Sequence, residues 1–372
     1  RIATERDMQI FREAEAYLKV KREKLTLKWG LDPVPDEAID PDSEKPRTMW
    51  LYGMKKWGDL FNSRQKMEII TFAEKVREVY KKIVEESCKK DYAKALVSYL
   101  GLGVDRLADF GSSLCVLNPT GGRGVVHTFG RQAFPMVWDY AESNPFLEEG
   151  AGWPTACDKN EKWIRHVSKA VLTIPAVIQG SATSLPYQDN FFDAIFTDPP
   201  YYDNVNYAEL SDFFYIWLKR TIGDLYPELF STPVVPKSSE IVANPIRQGG
   251  MEKAKKFFKD NLEESFKEIH RVLKQNGIAT IVYAHKSTSG WEALINSLLD
   301  SGLIITGAWP IDTEMRGKIN AQGTASLMSS VYIVARKMQR QPTGFYNEIK
   351  ENLKQYLNDK LNRLWDEGVS GA

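Results

Sequence analysis

The residues with the clearest chemical character are Asp198, Pro199, Pro200 and Tyr201, which end the segment FFDAIFTDPPY. An apolar run that leads directly into an acidic residue, two prolines and an aromatic indicates a strand that carries these four residues at its carboxyl end. That edge of the sheet is where α/β proteins bind their ligands. We call the four residues the DPPY motif and predict that it is catalytic.

The DPPY motif suits methyl transfer to an amino group. The exocyclic amine of adenine is a weak nucleophile because its lone pair is conjugated into the ring. The Asp198 carboxylate and the Pro199 carbonyl can each accept one of its N–H bonds, which frees the lone pair to attack a methylsulfonium. Consecutive prolines fix the direction of that carbonyl, and Tyr201 offers a ring face to a flipped-out base. The motif therefore predicts S-adenosylmethionine as cofactor and adenine as target.

Other interpretations of the motif stay open. Asp-Pro-Pro after a strand is also good turn chemistry without catalysis, although the tetrapeptide arises by chance in only about one chain per thousand of this size. Related motifs serve methyltransferases that act on RNA bases or on protein glutamine, because these nitrogens need the same polarisation. A DNA-binding or scaffolding fragment without catalysis is the remaining alternative.

A wider stretch around the motif resembles a known family. The segments TDPPYYDNVNYAELSDFFYIWLKR, YGMKKWGDLFNSRQ and FGRQAFPMVWDYAESNPF are similar to those of prokaryotic adenine-specific DNA methylases that bear the DUF1156 domain. The resemblance covers most of residues 50–336. It implies a Rossmann-like class I methyltransferase sheet, S-adenosylmethionine as cofactor, DNA as partner and the DPPY motif as catalytic motif, as in restriction-modification enzymes.

Further residues are predicted to bind substrate or cofactor. The polar and aromatic run after the motif suits stacking and edge recognition of an extruded base, and Arg131 beside Gln132 can contact base edges or phosphate, unless that segment is packed on its domain. The small turn before the DPPY strand permits close approach of a cofactor ring, as any βα turn does. The predicted substrate-binding residues are Tyr202, Asn204, Asn206, Tyr207 and Arg131; the predicted cofactor-binding residues are Gly180, Ser181, Ala182 and Asp198.

The glycine-rich loop that normally cradles this cofactor is not evident. The nearest string, NPTGGRG at residues 118–124, follows a weak strand and precedes VVHTFGRQAFPM, which does not have a helical pattern. We therefore interpret it as a surface loop. In the resembling family the cofactor loop lies upstream, and the chain opens with arginine, so we expect it to begin after that loop. A separate N-terminal half or partner subunit would then supply it.

Periodic patterns divide the chain into a helical part and an α/β part. Helices are predicted at 5–28, at 63–83 with Ser63 as N-cap, and at 91–108. After residue 170 short apolar strands alternate with helices, which predicts a parallel sheet with strands at 176–179, 192–197, 278–283, 303–308 and 330–335. The predicted divisions are a mostly helical region at 1–115, the methyltransferase region at 116–340 and a C-terminal helix at 341–372.

Bulk composition limits the classes of protein that fit. Lysine plus arginine and aspartate plus glutamate are 49 each, so any nucleic-acid surface must be local. Cys88, Cys115 and Cys157 form no CxxC pair, and the four histidines have no metal-ligand spacing, so no metal site is predicted. Without a long apolar run we predict a cytoplasmic protein that needs no membrane. His285, just past a predicted strand end, is the one histidine near the ligand edge.

Overall fold

The computed structural model describes residues 3–86, 89–118, 124–170, 173–285, 287–312, 329–338 and 346–366. The chain is mixed α/β and forms two compact units. One unit comprises Arg1–Ala176 with Asn206–Glu240, and the other comprises Val177–Val205 with Ile241–Ala372. These units divide the chain at other points than the predicted boundaries at 116 and 341.

The first unit is mostly helical, as the periodic pattern predicts. It contains α1 (Glu5–Trp29), α2 (Arg47–Leu51), α3 (Ser63–Glu85), α4 (Lys90–Phe110), the short strands β1 (Val116–Leu117) and β2 (Val125–Val126), α5 (Trp153–Ala170) and α6 (Tyr207–Ile222). The predicted N-cap of α3 is wrong by one residue. Asn62 has extended backbone, and its side chain accepts the Gln65 N–H at 3.0 Å, while the Gln65 side chain accepts the Asn62 N–H. This reciprocal capping box places Ser63 inside the helix.

A buried arginine of α6 organises the proline-rich acidic segment after α1. Arg220 is fully buried, and all five of its guanidinium N–H groups have acceptors. The acceptors are the carbonyls of Asp32 (2.8 Å), Val34 (3.3 Å) and Ile216 (3.0 Å) and the carboxylates of Glu37 (2.9 Å) and Asp36 (3.3 Å). The segment at 30–48, whose prolines and acidic residues are typical of a loop, is therefore held in place by two ion pairs and by hydrogen bonds from Arg220 to its main-chain carbonyls.

The second unit contains a four-stranded sheet with helices. Its elements are β3 (Phe192–Thr197), α7 (Pro245–Gln248), α8 (Met251–Val272), β4 (Leu273–Tyr283), α9 (Thr288–Asp300), β5 (Leu303–Asp312), β6 (Ser329–Lys337) and α10 (Tyr346–Asp366). The order across the sheet is β3-β4-β6-β5. Its core gathers apolar side chains of the sheet, α8 and α9, among them Phe258, Phe266, Ile281 and Leu298.

Two predictions about the sheet are wrong. Strands β3 and β4 are parallel, but β6 runs antiparallel to both β4 and β5, so the sheet is mixed. The apolar residues at 176–179 form no strand and are exposed, with Val177 88% and Ile178 52% accessible. A strand needs the hydrogen bonds of a neighbour, and no described residue pairs with this segment.

Across the described ranges, none of the helices is long and apolar enough to cross a membrane.

Candidate functional site

Asp198 lies where the sequence places it, immediately after β3 at the carboxyl edge of the parallel pair. Thr197, the last residue of β3, is in register with Ile281 of β4, so both strands end at the same edge. The Asp198 side chain is exposed, and no described residue hydrogen-bonds to its carboxylate. A free acceptor therefore stands at the edge of the sheet where α/β proteins bind ligands.

The Tyr201 ring packs against a buried tyrosine at the end of β4. The rings of Tyr201 and Tyr283 meet edge to face, with centroids 5.5 Å apart and planes at 72°. Tyr283 is fully buried and its hydroxyl donates to the Gly290 carbonyl at 3.1 Å. Burial raises the pKa of the Tyr283 hydroxyl well above its usual range, so the group stays a neutral donor. The ring expected to stack on a base thus rests on a rigid support.

Tyr202 has a different role from the one predicted. Its side chain is only 6% exposed and packs edge to face on Phe258, 5.0 Å between centroids. Its backbone has φ of 57°, a conformation uncommon outside glycine, while its N–H donates to the Pro200 carbonyl and its own carbonyl accepts the Ala243 N–H. Because the ring lies in the core, we reassign Tyr202 from substrate contact to support of the DPPY motif.

His285 joins the motif to the first turn of α9. Its Nε2 lies 3.2 Å from Asp203 Oδ1, and its Nδ1 lies 2.9 Å from Ser287 Oγ and accepts the Ser287 N–H at 3.1 Å. The ring is 8% exposed and lies edge to face against Tyr202 at 5.4 Å. Sequence position had singled out His285, but not Ser287 or Gly290. The local signal for those two is Ser-x-x-Gly at a helix start, where Ser287 caps α9 by accepting the Gly290 N–H at 3.2 Å.

Three of the four predicted cofactor-binding residues, Gly180, Ser181 and Ala182, form an exposed turn. Ser181 pairs with Ser184 through an isolated bridge, and Ser181 Oγ accepts the Thr183 N–H at 3.2 Å. A Cβ built on Gly180 would meet nothing within 4 Å, so no neighbour demands glycine there. Gly180, Ser181 and Ala182 are all solvent-accessible, which leaves room for a ligand against their backbone.

An ion pair anchors the chain just after that turn to α8. Glu268 accepts the Leu185 N–H at 2.7 Å and an Arg271 N–H at 2.8 Å, while Arg271 also donates to the Leu185 carbonyl at 2.9 Å. Hydrogen bonds from Arg271 and from the Leu185 backbone lower the pKa of the Glu268 carboxyl to about 2. The turn at 180–184 therefore stands beside a fixed segment.

The other predicted substrate residues are divided between the units. Asn204 is exposed in the same unit as the motif, and its N–H donates to the Tyr201 carbonyl at 3.1 Å. Asn206, Tyr207 and Arg131 belong to the other unit. Asn206 is 1% exposed and its amide donates to Glu44 at 2.8 Å, so its side chain is a packed core group instead of a free base reader. Tyr207 and Arg131 are exposed.

Two loops considered in the sequence lie wholly or partly outside the described residues. Within NPTGGRG only Asn118 and Gly124 are described; the Asn118 N–H donates to the Gly124 carbonyl at 3.2 Å. The flanking strands β1 and β2 pair antiparallel, with Leu117 opposite Val125. A strand, and not a helix, therefore follows this string, and residues 119–123 lie outside the described residues. The second is the basic, amide-rich segment at 314–324, for which the sequence favours either a DNA-contacting loop or an ordinary connection between strands; it falls wholly outside the described residues.

The segment at 129–146 carries a charge network in the first unit. Glu142 receives two hydrogen bonds from Arg64, at 2.9 and 2.7 Å, so this carboxylate already has a cationic partner. Glu68, one turn along α3 from Arg64, lies near Glu142. Burial, and then the negative charge of Glu142, raises the pKa of the Glu68 carboxyl to about 8. Sequence patterns had not indicated this residue.

Replacing Glu68 by glutamine is expected to stabilise the protein more at pH 8 than at pH 5. Between its unfolded pKa near 4.5 and its folded pKa near 8, Glu68 holds a proton only in the native state, so the free energy of unfolding falls as pH rises through this window. Since the side chain is partly exposed, we expect a gain of about 2 kcal/mol at pH 8 and little at pH 5. Urea unfolding at both pH values measures this, with exposed Glu85→Gln on the same helix as control. An equal gain at both pH values contradicts the prediction.

Comparison of the chain with models of known protein families, with curated proteins and with solved structures found no match. In the described ranges no group of three or more histidine, cysteine or acidic side chains could hold a metal ion.

Proposed function

We propose that this protein transfers a methyl group from S-adenosylmethionine to the exocyclic amine of adenine in DNA. The observation that carries the proposal is the free, exposed Asp198 carboxylate at the carboxyl edge of β3, followed directly by two prolines and a supported tyrosine. A structural turn would not require an unpaired carboxylate there. The resemblance of residues 197–220 to adenine-specific DNA methylases supports the same function.

In this mechanism the chain polarises and orients the target base. Asp198 accepts one N–H of the amine and the Pro199 carbonyl accepts the other, so the nitrogen becomes tetrahedral and its lone pair is free. Tyr201 stacks on the extruded base, with its ring angle held by Tyr283. S-adenosylmethionine would supply an electrophilic methyl group, whose bond to sulfur breaks as the amine nitrogen attacks, so that the sulfur leaves as a neutral thioether. Asp198 holds the proton that the amine loses as the new N–C bond forms.

The residues described here fit part of a cofactor site. Gly180, Ser181 and Ala182 form an exposed turn whose backbone is free of covering side chains, as a ligand that lies against it requires. We propose that a further N-terminal half or a partner subunit supplies the glycine-rich loop. We also propose that the mixed sheet is the C-terminal part of a Rossmann-like class I methyltransferase sheet, since such sheets accept antiparallel strands near an edge. We propose a cytoplasmic location as well, since the DNA of prokaryotes, in which the resembling methylases occur, lies in that compartment.

The test is calorimetric titration of S-adenosylmethionine, followed by transfer of labelled methyl groups to matched DNA, RNA and protein substrates. We expect binding and label on adenine in DNA. Label found only in RNA would replace DNA with an RNA base as substrate. DNA binding without cofactor binding or label, even after addition of candidate partner subunits, would support a non-catalytic DNA-binding fragment and overturn the proposal.

A further inference from the structure

We infer that His285 is a positioning residue for the DPPY motif, acting through Asp203. The inference rests on the proposed function, because it concerns the residues that orient the target base. His285 follows the end of β4, whereas Asp203 follows the motif at the end of β3. A hydrogen bond between the two side chains links these strand ends on the ligand edge of the sheet.

Hydrogen-bond partners determine which ring nitrogen of His285 carries the proton. The Ser287 backbone N–H can only donate, and its nitrogen lies 3.1 Å from Nδ1, closer than the Ser287 carbonyl oxygen at 3.4 Å, so Nδ1 acts as acceptor. The neutral ring therefore carries its proton on Nε2, which donates to Asp203 Oδ1 at 3.2 Å. The His285 ring therefore links the first turn of α9, through Ser287, to the turn after the motif, through Asp203, and both hydrogen bonds fix its orientation.

Packing leaves the His285 ring little freedom to move. A Cβ built on Gly290 would lie 2.3 Å from Nδ1, so the first turn of α9 approaches the ring as closely as glycine allows. The Trp291 indole N–H donates to the His285 carbonyl at 3.0 Å, and Tyr202 covers the ring edge to face. A positioning residue must be rigid, because any motion of its side chain would also move the residues that it holds in place.

The supported turn is one that the backbone does not favour by itself. Tyr202 has a positive φ, a backbone conformation that is strained for any residue other than glycine. Its N–H is bonded to the Pro200 carbonyl, so any relaxation at Tyr202 moves the prolines and the Tyr201 ring. Asp203 follows directly and is held by His285. Without that contact we expect the Pro199 carbonyl and Tyr201 to lose their alignment with the base.

Two pairs of substitutions separate the hydrogen bond from the bulk of the side chain. In His285→Gln the side-chain amide N–H can reach the position of Nε2 and still donate to Asp203. In His285→Asn the shorter amide reaches only the position of Nδ1, so the hydrogen bond to Asp203 is lost. Asp203→Asn keeps an acceptor for the ring, whereas Asp203→Ala removes it. We expect His285→Asn and Asp203→Ala to lower the single-turnover rate of methyl transfer by about 10- to 100-fold with KM for DNA unchanged within about threefold. His285→Gln and Asp203→Asn should retain most of the rate.

The experiment measures these rates in the complete protein alongside ¹H–¹⁵N NMR of the His285 ring and of the amides at 201–204. Wild type should show the Nε2–H tautomer, and His285→Asn should broaden or shift the amides while the urea midpoint of the second unit changes little. Full activity of His285→Asn in an active enzyme overturns the inference and leaves the proposed function intact. A wild type that stays inactive even after addition of candidate partner subunits, but shows the tautomer and the amide changes, overturns the proposed function, while the link between His285 and the turn stands.

Discussion

Asp198→Ala is expected to lower the rate of methyl transfer by about a thousandfold, the loss typical when a preorganised group at the reacting centre is removed. The carboxylate is exposed and unpaired among the described residues, so its removal breaks no contact that holds the fold. The free energy of unfolding should therefore stay within about 0.5 kcal/mol of wild type. Single-turnover transfer of labelled methyl groups to an adenine-containing duplex measures the rate.

Two further variants give this experiment its controls. Asp198→Asn keeps one acceptor oxygen but loses the negative charge, so we expect an intermediate loss of about tenfold to a hundredfold. Asp193→Asn changes an acid in the same strand, on a side chain that pairs with Lys274 at 2.7 Å and is 83% exposed, and should leave the rate unchanged. If Asp198→Ala retains the wild-type rate, or loses no more than Asp193→Asn, the motif is a structural turn.

Arg220→Met is expected to cost about 3 to 5 kcal/mol of unfolding free energy. The substitution keeps much of the side-chain volume but removes all five donors, which leaves the Glu37 carboxylate buried without its cation. The carbonyls of Asp32 and Val34 also lose their partners. Urea unfolding followed by circular dichroism measures the loss, and proteolysis should cut first within the segment at 30–48.

A double-mutant cycle identifies the source of that cost. If the unpaired Glu37 carboxylate is responsible, adding Glu37→Met to Arg220→Met should cost little or recover stability, whereas Glu37→Met alone should destabilise. Lys82→Met removes an exposed cation of the same unit, 76% accessible, and should change stability by less than about 0.5 kcal/mol. A loss for Arg220→Met no larger than that of Lys82→Met would show that the buried network contributes nothing.

Local pattern was sufficient for the long helices and for the strand that carries the motif. Periodic apolar residues predicted α3 and α4 to within two or three residues at each end. The strand predicted at 192–197 has those bounds in the structure, because a polar turn precedes its apolar core and two prolines end it. Each of these features is encoded by residues within one turn or one strand of each other.

Strand direction and strand pairing were not predictable in this way. An isolated apolar segment has the same composition whether its neighbour runs parallel or antiparallel, so the reversed β6 came only from the structure. The segment at 176–179 has the residues of a strand but no partner among those described. Strand pairing depends on the neighbouring strand in the sheet, and that strand is distant in the sequence from the segment whose pattern is being read.

By itself, then, the sequence determined the long helices α1, α3 and α4, the DPPY motif and its place after an apolar strand. Only the tertiary structure decided that Tyr201 packs beside Tyr283 while Tyr202 is buried, and that Arg220 binds a segment more than 180 residues away. It also decided that His285 reaches Asp203 across 82 residues. The reason is physical: burial and hydrogen-bond partners are set by contacts between distant elements, and residue type alone does not specify which of two adjacent tyrosines faces the core.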